Sequence, residues 1–376
     1  MRARSLIILL LSLGVVAGAA ALVIHWKKPK RADVVLGTRL LSDLAVNQVA
    51  SVTIKSVEDG VSLVREQDGW VVANRFNYPA NFNTVVNFIR ELSEAKVGRK
   101  FEGSEEVLSR LALRDPDDPE APPAEKGTRI VLKNDNKTVL VGLILGSSRE
   151  RIPQVRLQTG RYLRFADSKT VYLIDEQLEP ALAEPPYWLD RQLAKVHPSE
   201  VKRISCYDAA GKGPFFTFER SEPGKELQAV DLEPSSKIRE GQLKQLANGL
   251  WSLYPGDVVD RAPPEAVAGF PFRLDYESFN GMIYRVYPST GCAKEAADQC
   301  LIRLQVDYQQ PSGEKKETDS SADDKGKPEK TPEELSLEAK TLNERFSPWV
   351  YSVTWAQHLA FITDLNKLVE KDKASK

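Results

Sequence analysis

The sequence is poor in the residues that most often carry chemistry. Three histidines, three cysteines and two methionines occur among 376 residues. His25, His197 and His358 are far apart, and no H-E-x-x-H run exists. A zinc hydrolase needs ligands at fixed helical spacing, so none is expected. Phosphate-binding signatures are missing too. There is no G-x-x-x-x-G-K-[ST], so any nucleotide hydrolysis belongs to a partner. Gly211-Lys212-Gly213 is followed by Pro214 and a strand-like stretch. A phosphate cradle needs a helix there, so this is a turn. The nucleophile elbow G-x-S-x-G is absent, and Ser147 and Ser148 lie in a turn without a partner histidine. The acidic stretch 115–120 lacks the glycine and spaced ligands of a calcium loop, and reads as a solvated linker. No catalytic, cofactor-binding or metal residues are expected, and the protein is read as not an enzyme.

An excess of charge is also missing. The 52 basic and 53 acidic residues leave a formal net charge of −1. A nucleic-acid partner selects a basic face, so none is expected. The 41% apolar content fits a globular body.

What is present is an uncharged run at the amino end. Ser5 to Trp26 are 22 residues without Asp, Glu, Lys or Arg. As a helix they span roughly 33 Å, against about 30 Å for a hydrocarbon core. One reading is an uncleaved membrane anchor (1–31). The other is a signal peptide cut after Ala17, Ala19 or Ala21. The run continues through Leu22, Val23 and Ile24 to Trp26 at an interfacial position, which favours the anchor. Arg2 and Arg4 precede the span, and Lys27, Lys28, Lys30 and Arg31 follow it. Counting positive charges alone leaves the body in the cytoplasm. A large body directly after an amino-terminal span is more often exported, so a single-pass inner-membrane protein with a periplasmic body is expected.

Cys292 and Cys300 bracket a short polar loop between two strand-like segments. Cysteines at a hairpin end can reach disulfide distance, and such bonds persist in oxidising compartments. The competing reading is two unrelated surface thiols. Cys206 lies in the strand-like VKRISCY and is expected as a buried thiol.

The body reads as one module used twice. Val49, Val52 and Ile54 match Val201, Ile204 and Cys206 at a constant offset of 152. GVSLVRE (60–66) matches GPFFTFERS (213–221), each with an arginine after an alternating strand. Helical patterns follow, with Val85, Val86, Ile89 and Leu92 in one and Leu243, Leu246, Leu250 and Leu253 in the other. Residues 128–145 align with 272–288 at an offset of 144, VRLQ (155–158) with IRLQ (302–305), and Val171-Tyr172 with Val350-Tyr351. Six matches in unbroken order imply a tandem duplication, roughly 40–195 and 196–370. Each module reads β–β–β–α–β–β–β–β–α, an α+β layout of mainly antiparallel sheets with helices packed on one face. Residues 114–127 read as an irregular linker, and 309–334 as a disordered insertion.

The first module resembles a known family. Its marks are V-x-x-I/V-x-I, a strand ending L-V-R, Asp68-Gly69-Trp70, and Pro79-Ala80-Asn81 before a helix. Gly146, Val155-Arg156 and Val171-Tyr172-Leu173 fit the later strands. These residues resemble the domain of unknown function 4340 family. The second module fits less well, since Gly224 is followed by KELQAV without a tryptophan. The resemblance implies a membrane-anchored envelope protein. It is similar to auxiliary components encoded beside ABC transporters of the gliding-motility type. An ABC ATPase and its membrane subunits are the implied partners, and no catalytic residues come with the resemblance. The first expected function is therefore a non-enzymatic accessory protein of such a complex. The second is an envelope ligand module, for a glycan or similar molecule, using the groove between the modules. Tyr187 and Trp188 sit beside two prolines at the module boundary. They are expected either to pack the modules together or to form an aromatic patch for a partner.

Overall fold

The structure, a computed structural model, describes residues 35–149, 160–178, 180–230, 232, 237–261, 269–295, 300–311 and 330–370. The expected anchor lies outside the described residues, as do VRLQ (155–158) and residues 312–329 of the expected insertion. Among the described residues, no helix is long and apolar enough to cross a membrane.

The class is α+β, built on two mainly antiparallel sheets. The first holds β1 (Ser51–Lys55), β2 (Gly60–Glu66), β3 (Gly69–Val72), β4 (Tyr78–Pro79), β5 (Val97–Glu102), β6 (Thr128–Lys133), β7 (Val139–Arg149), β8 (Gly160–Phe165) and β9 (Thr170–Ile174). Their order is β4-β3-β2-β1-β6-β7-β8-β9-β5. The second holds β10 (Val201–Asp208), β11 (Phe216–Glu219), β12 (Gln228–Ala229), β13 (Asp257–Arg261), β14 (Phe272–Ser278), β15 (Met282–Pro288), β16 (Leu301–Tyr308) and β17 (Trp349–Ser352). Their order is β12-β11-β10-β14-β15-β16-β17-β13. Apart from the two-residue β4, the orders correspond strand for strand. The described helices are α1 (Phe82–Glu94), α2 (Glu105–Arg110), α3 (Pro185–Trp188), α4 (Glu240–Ala247), α5 (Pro332–Phe346), α6 (Trp355–His358) and α7 (Leu365–Leu368).

Strand register shows which residues are equivalent. Val52 pairs with Leu132 and Leu63, and Ile204 pairs with Tyr276 and Phe218. Tyr172 pairs with Leu163, and Tyr351 pairs with Ile302. The register therefore places Ile302-Arg303-Leu304 opposite Leu163-Arg164-Phe165 in the repeat, not opposite VRLQ. Trp70, two places before Val72, corresponds to buried Leu227, which lies two before Ala229. KELQAV thus supplies a smaller apolar residue at the tryptophan's place.

The helices form where caps and spacing agree. Asn81 caps α1 by accepting from the Thr84 N–H at 3.0 Å. Val85, Phe88, Ile89 and Leu92 are buried beneath α1. Val86 is 39% exposed, which corrects the expected buried face. One step along a helix turns by about 100°, enough to leave the core. Leu250 and Leu253 are buried but lie beyond the end of α4.

The insertion was expected to run to 334, but α5 begins at Pro332. Thr331 Oγ1 accepts from the Glu334 N–H, and the Glu334 carboxylate accepts from the Thr331 N–H. This capping box was readable as T-P-E-E, followed by Leu335, Ala339 and Phe346 at helical spacing. Nor is 114–127 a loose linker. It lies on the outer face of the first sheet, where Arg129 pairs with Asp115 and Asp117, Lys55 with Asp117, and Arg114 with Asp118. Leu108 and Leu113 pack there on Ile144 and Val171. Asp115 and Asp117 have their partners in β1 and β6, outside the linker, so composition alone concealed the contact.

Candidate interaction surfaces

Among the described residues, those singled out for chemistry do not converge. His25 lies outside the described residues. His197 caps a turn: its Nδ1 lies 2.6 Å from Ser199 Oγ, and its backbone N–H donates to Glu200 at 3.1 Å. His358 is partly buried, with Nε2 3.5 Å from Ser289 Oγ. Burial pushes its imidazole below the usual histidine range, with the Ser289 contact opposing. The neutral form is therefore favoured in the folded chain. Stability from this group is present above the unfolded pKa of about 6.5 and is lost as pH falls through the lower folded value. Wild type should lose more denaturation free energy than His358→Gln between pH 7.5 and 5.5. Equal losses would remove His358 from the account.

Cys206 is fully buried, and desolvation pushes its thiol up to about 12, so it is inert as a nucleophile. Cys292 and Cys300 form a disulfide that joins the ends of β15 and β16. Closing a loop of this size removes about 2–3 kcal/mol of unfolded-chain entropy. Reduction with dithiothreitol should lower the denaturation free energy by that amount, and a Cys292→Ser/Cys300→Ser variant should no longer respond. An unchanged wild-type midpoint after verified reduction would contradict it. Gly213 turns onto Phe215, whose N–H donates to the Cys206 carbonyl, so GKG closes a hairpin.

Trp188 is fully buried, so it does not form an exposed patch; the helix that carries it, α3, lies against β13 of the second module. It stands edge-on to Phe88 of α1 at 5.3 Å and donates from Nε1 to the Leu182 carbonyl at 2.8 Å. Tyr187 is half-buried beside it. The repeat explains the position. Ala80 bridges to Leu189, and Ile238 bridges to Val369. Trp188 and Leu368 thus hold equivalent places at the ends of α3 and α7. Both accept, through their carbonyls, from the helix-capping residues Asn81 and Arg239.

The modules meet beside α3. Tyr78 is buried against Trp349 at 5.2 Å and Tyr351 at 6.1 Å, and its hydroxyl donates to the Asp190 carbonyl at 3.0 Å. Burial pushes the Tyr78 phenol up to about 12. Arg75 holds Asp257 through two contacts of 2.8 and 3.0 Å, Arg345 pairs with Asp190, and Arg261 donates to the Phe76 carbonyl at 3.0 Å. None of these pairs has a sequence signature, because each joins two modules through single residues.

The outer face of the second sheet carries rows of polar groups across neighbouring strands. Arg203 lies between Glu219 and Glu277, and Arg285 lies between Asp275 and Asp307. Arg273 covers Tyr207 at 4.6 Å, and Arg303 covers Tyr287 at 5.6 Å. Burial raises the Asp275 carboxyl, while Arg273 and Arg285 oppose that rise. Four arginines face four acids, so the face is self-neutralised. It presents the polar side that antiparallel sheets turn to water.

A separate patch is apolar. Trp251, Tyr254 and Leu359 are 50%, 53% and 39% exposed. The loop is fixed: Gln357 Nε2 donates to the Ser252 and Tyr254 carbonyls at 3.0 and 2.9 Å, and His197 packs edge-on to Trp251. Among the described residues, no group of His, Cys, Asp and Glu is arranged to hold a metal ion.

A family model described as Domain of unknown function (DUF4340) matches residues 70–268, which is 199 of the 376 residues. The chain belongs to that family. The match begins at Trp70 in β3 and runs past β13, so it crosses from the first module into the second. No curated protein and no solved structure matches the chain.

Proposed function

We propose that this protein is a membrane-anchored, non-enzymatic accessory component of an envelope complex of the ABC-transporter type. The body lies outside the cytoplasm, and the complex supplies the ATPase and membrane subunits. The observation that carries the reading is the pairing of an uncharged 22-residue amino-terminal run with a two-module body of continuous core. The disulfide supports an oxidising compartment. The described candidates for chemistry, His197, His358 and the cysteines, act as caps, packing groups or strand ties, which supports a docking role. A glycan site between the modules is disfavoured, because Tyr78, Trp349 and Tyr351 fill the junction. Cross-linking in native membranes followed by pull-down tests the proposal. Recovery of an ABC ATPase with its membrane subunit is expected. Recovery of neither, under conditions that preserve known complexes, would overturn it.

A further inference from the structure

The two modules share more than a fold. The β4 edge of the first module faces the β13 edge of the second, through Arg75–Asp257 and Tyr78–Trp349. β13 is the counterpart of β5, which lies at the opposite edge of the first sheet. The sheets are therefore laid head to tail. Their core faces are continuous, the residues buried beneath α1, α4 and α5 belonging to one cluster. Asp190, beside the buried Trp188 under α1, pairs with Arg345 at the end of α5. Two shared directions fix the orientation of a chiral body, so an approximate translation relates the modules. Equivalent ends of the two modules must point the same way.

One such end receives the chain from the amino-terminal run. Gly37 donates to the Val97 carbonyl and Leu40 to the Ala95 carbonyl, just where β5 begins. The eight residues 27–34 make nine steps from Trp26 to Val35, which reach at most about 32 Å. This end of the first module therefore stays within that distance of any membrane holding residues 5–26. The equivalent place in the second module is the start of β13. Buried Leu92 and Ala95 correspond there to buried Leu250 and Leu253. At the same offset, Ser93 corresponds to Trp251 and Lys96 to Tyr254. Both replacements are aromatic and about half exposed.

We infer that the Trp251–Tyr254 loop, with Leu359, is a second membrane contact, seated in the interface of the bilayer that holds the anchor. Tryptophan and tyrosine suit that depth, because an apolar ring enters the acyl boundary while its N–H or O–H stays hydrated. The Gln357 amide holds the loop in place, so insertion costs little ordering. The body then rests on the bilayer at two points, one per module. This inference depends on the anchor reading above.

The full chain, reconstituted into phosphatidylcholine–phosphatidylglycerol vesicles, would be compared with and without lipids brominated near the headgroup. Tryptophan quenching is read in wild type, Trp251→Phe, Trp26→Phe and Tyr254→Trp. The expected result is less quenching in Trp251→Phe than in wild type, and more in Tyr254→Trp. Quenching lost in Trp26→Phe alone, with Trp251→Phe and Tyr254→Trp matching wild type, would overturn the second contact and keep the anchor. No quenching in any protein would overturn both.

Discussion

Trp188→Ala is expected to unfold the first module under conditions where wild type is folded. The indole is fully buried beneath α1 and lies 5.3 Å from Phe88 and 5.1 Å from Tyr187. Truncating a buried tryptophan costs about 3–5 kcal/mol in transfer and cavity terms. The Leu182 carbonyl would also lose its donor, a further cost of about 1–3 kcal/mol if it stays buried. Few domains hold more than about 15 kcal/mol in total. Hydrogen exchange should therefore show lost protection across α1 and β1–β3, with the second module affected less. Trp188→Phe should fall between wild type and alanine. Retention of wild-type stability in Trp188→Ala would mean that the packing under α1 has been misread.

Tyr78→Ala should separate the melting of the two modules. The side chain is 1% exposed and wedged against Trp349 and Tyr351 from the other module. Its loss leaves a cavity costing about 3–5 kcal/mol, most of it at the junction. Arg75–Asp257 and Arg345–Asp190 would remain, but they are partly exposed pairs. Exposed and half-exposed ion pairs contribute only about 0–1 kcal/mol each. Calorimetry of Tyr78→Ala should resolve two transitions where wild type gives one. Tyr78→Phe keeps the ring and loses the hydroxyl's bond to the Asp190 carbonyl, a change of about 0.5–1.5 kcal/mol. It should melt as a single unit. A single transition in Tyr78→Ala would show that coupling runs through the rest of the continuous core.

The repeat was legible because strands write their burial into alternating residues. Val52 and Ile54, with Ile204 and Cys206, show it plainly, and the register pairs them as the shared offset implies. Short identities were less reliable. IRLQ looked like VRLQ, yet its partner by register is Leu163-Arg164-Phe165, because apolar exchange preserves the strand pattern while letters drift. The capping box at Thr331 was readable and was obscured by the polar run before it. The place of Trp188 was not readable. A tryptophan beside two prolines looks alike whether it closes a core or faces a partner, and only its burial and its equivalence with Leu368 separate the two.

By itself the sequence determined the uncharged amino-terminal run, the α+β class, the duplication and the family. The run, the class and the duplication rest on local periodicity or on composition, and the family on short motifs such as Asp68-Gly69-Trp70, none of which folding rearranges. The tertiary structure decided how the modules join, which face the 114–127 segment covers, and that Trp251 and Tyr254 stand exposed at the end equivalent to the chain's entry. Those depend on contacts such as Tyr78 with Tyr351, separated by 273 positions (351 − 78). No periodic pattern spans such a distance, and the energy of each contact comes from the surface that the other module presents.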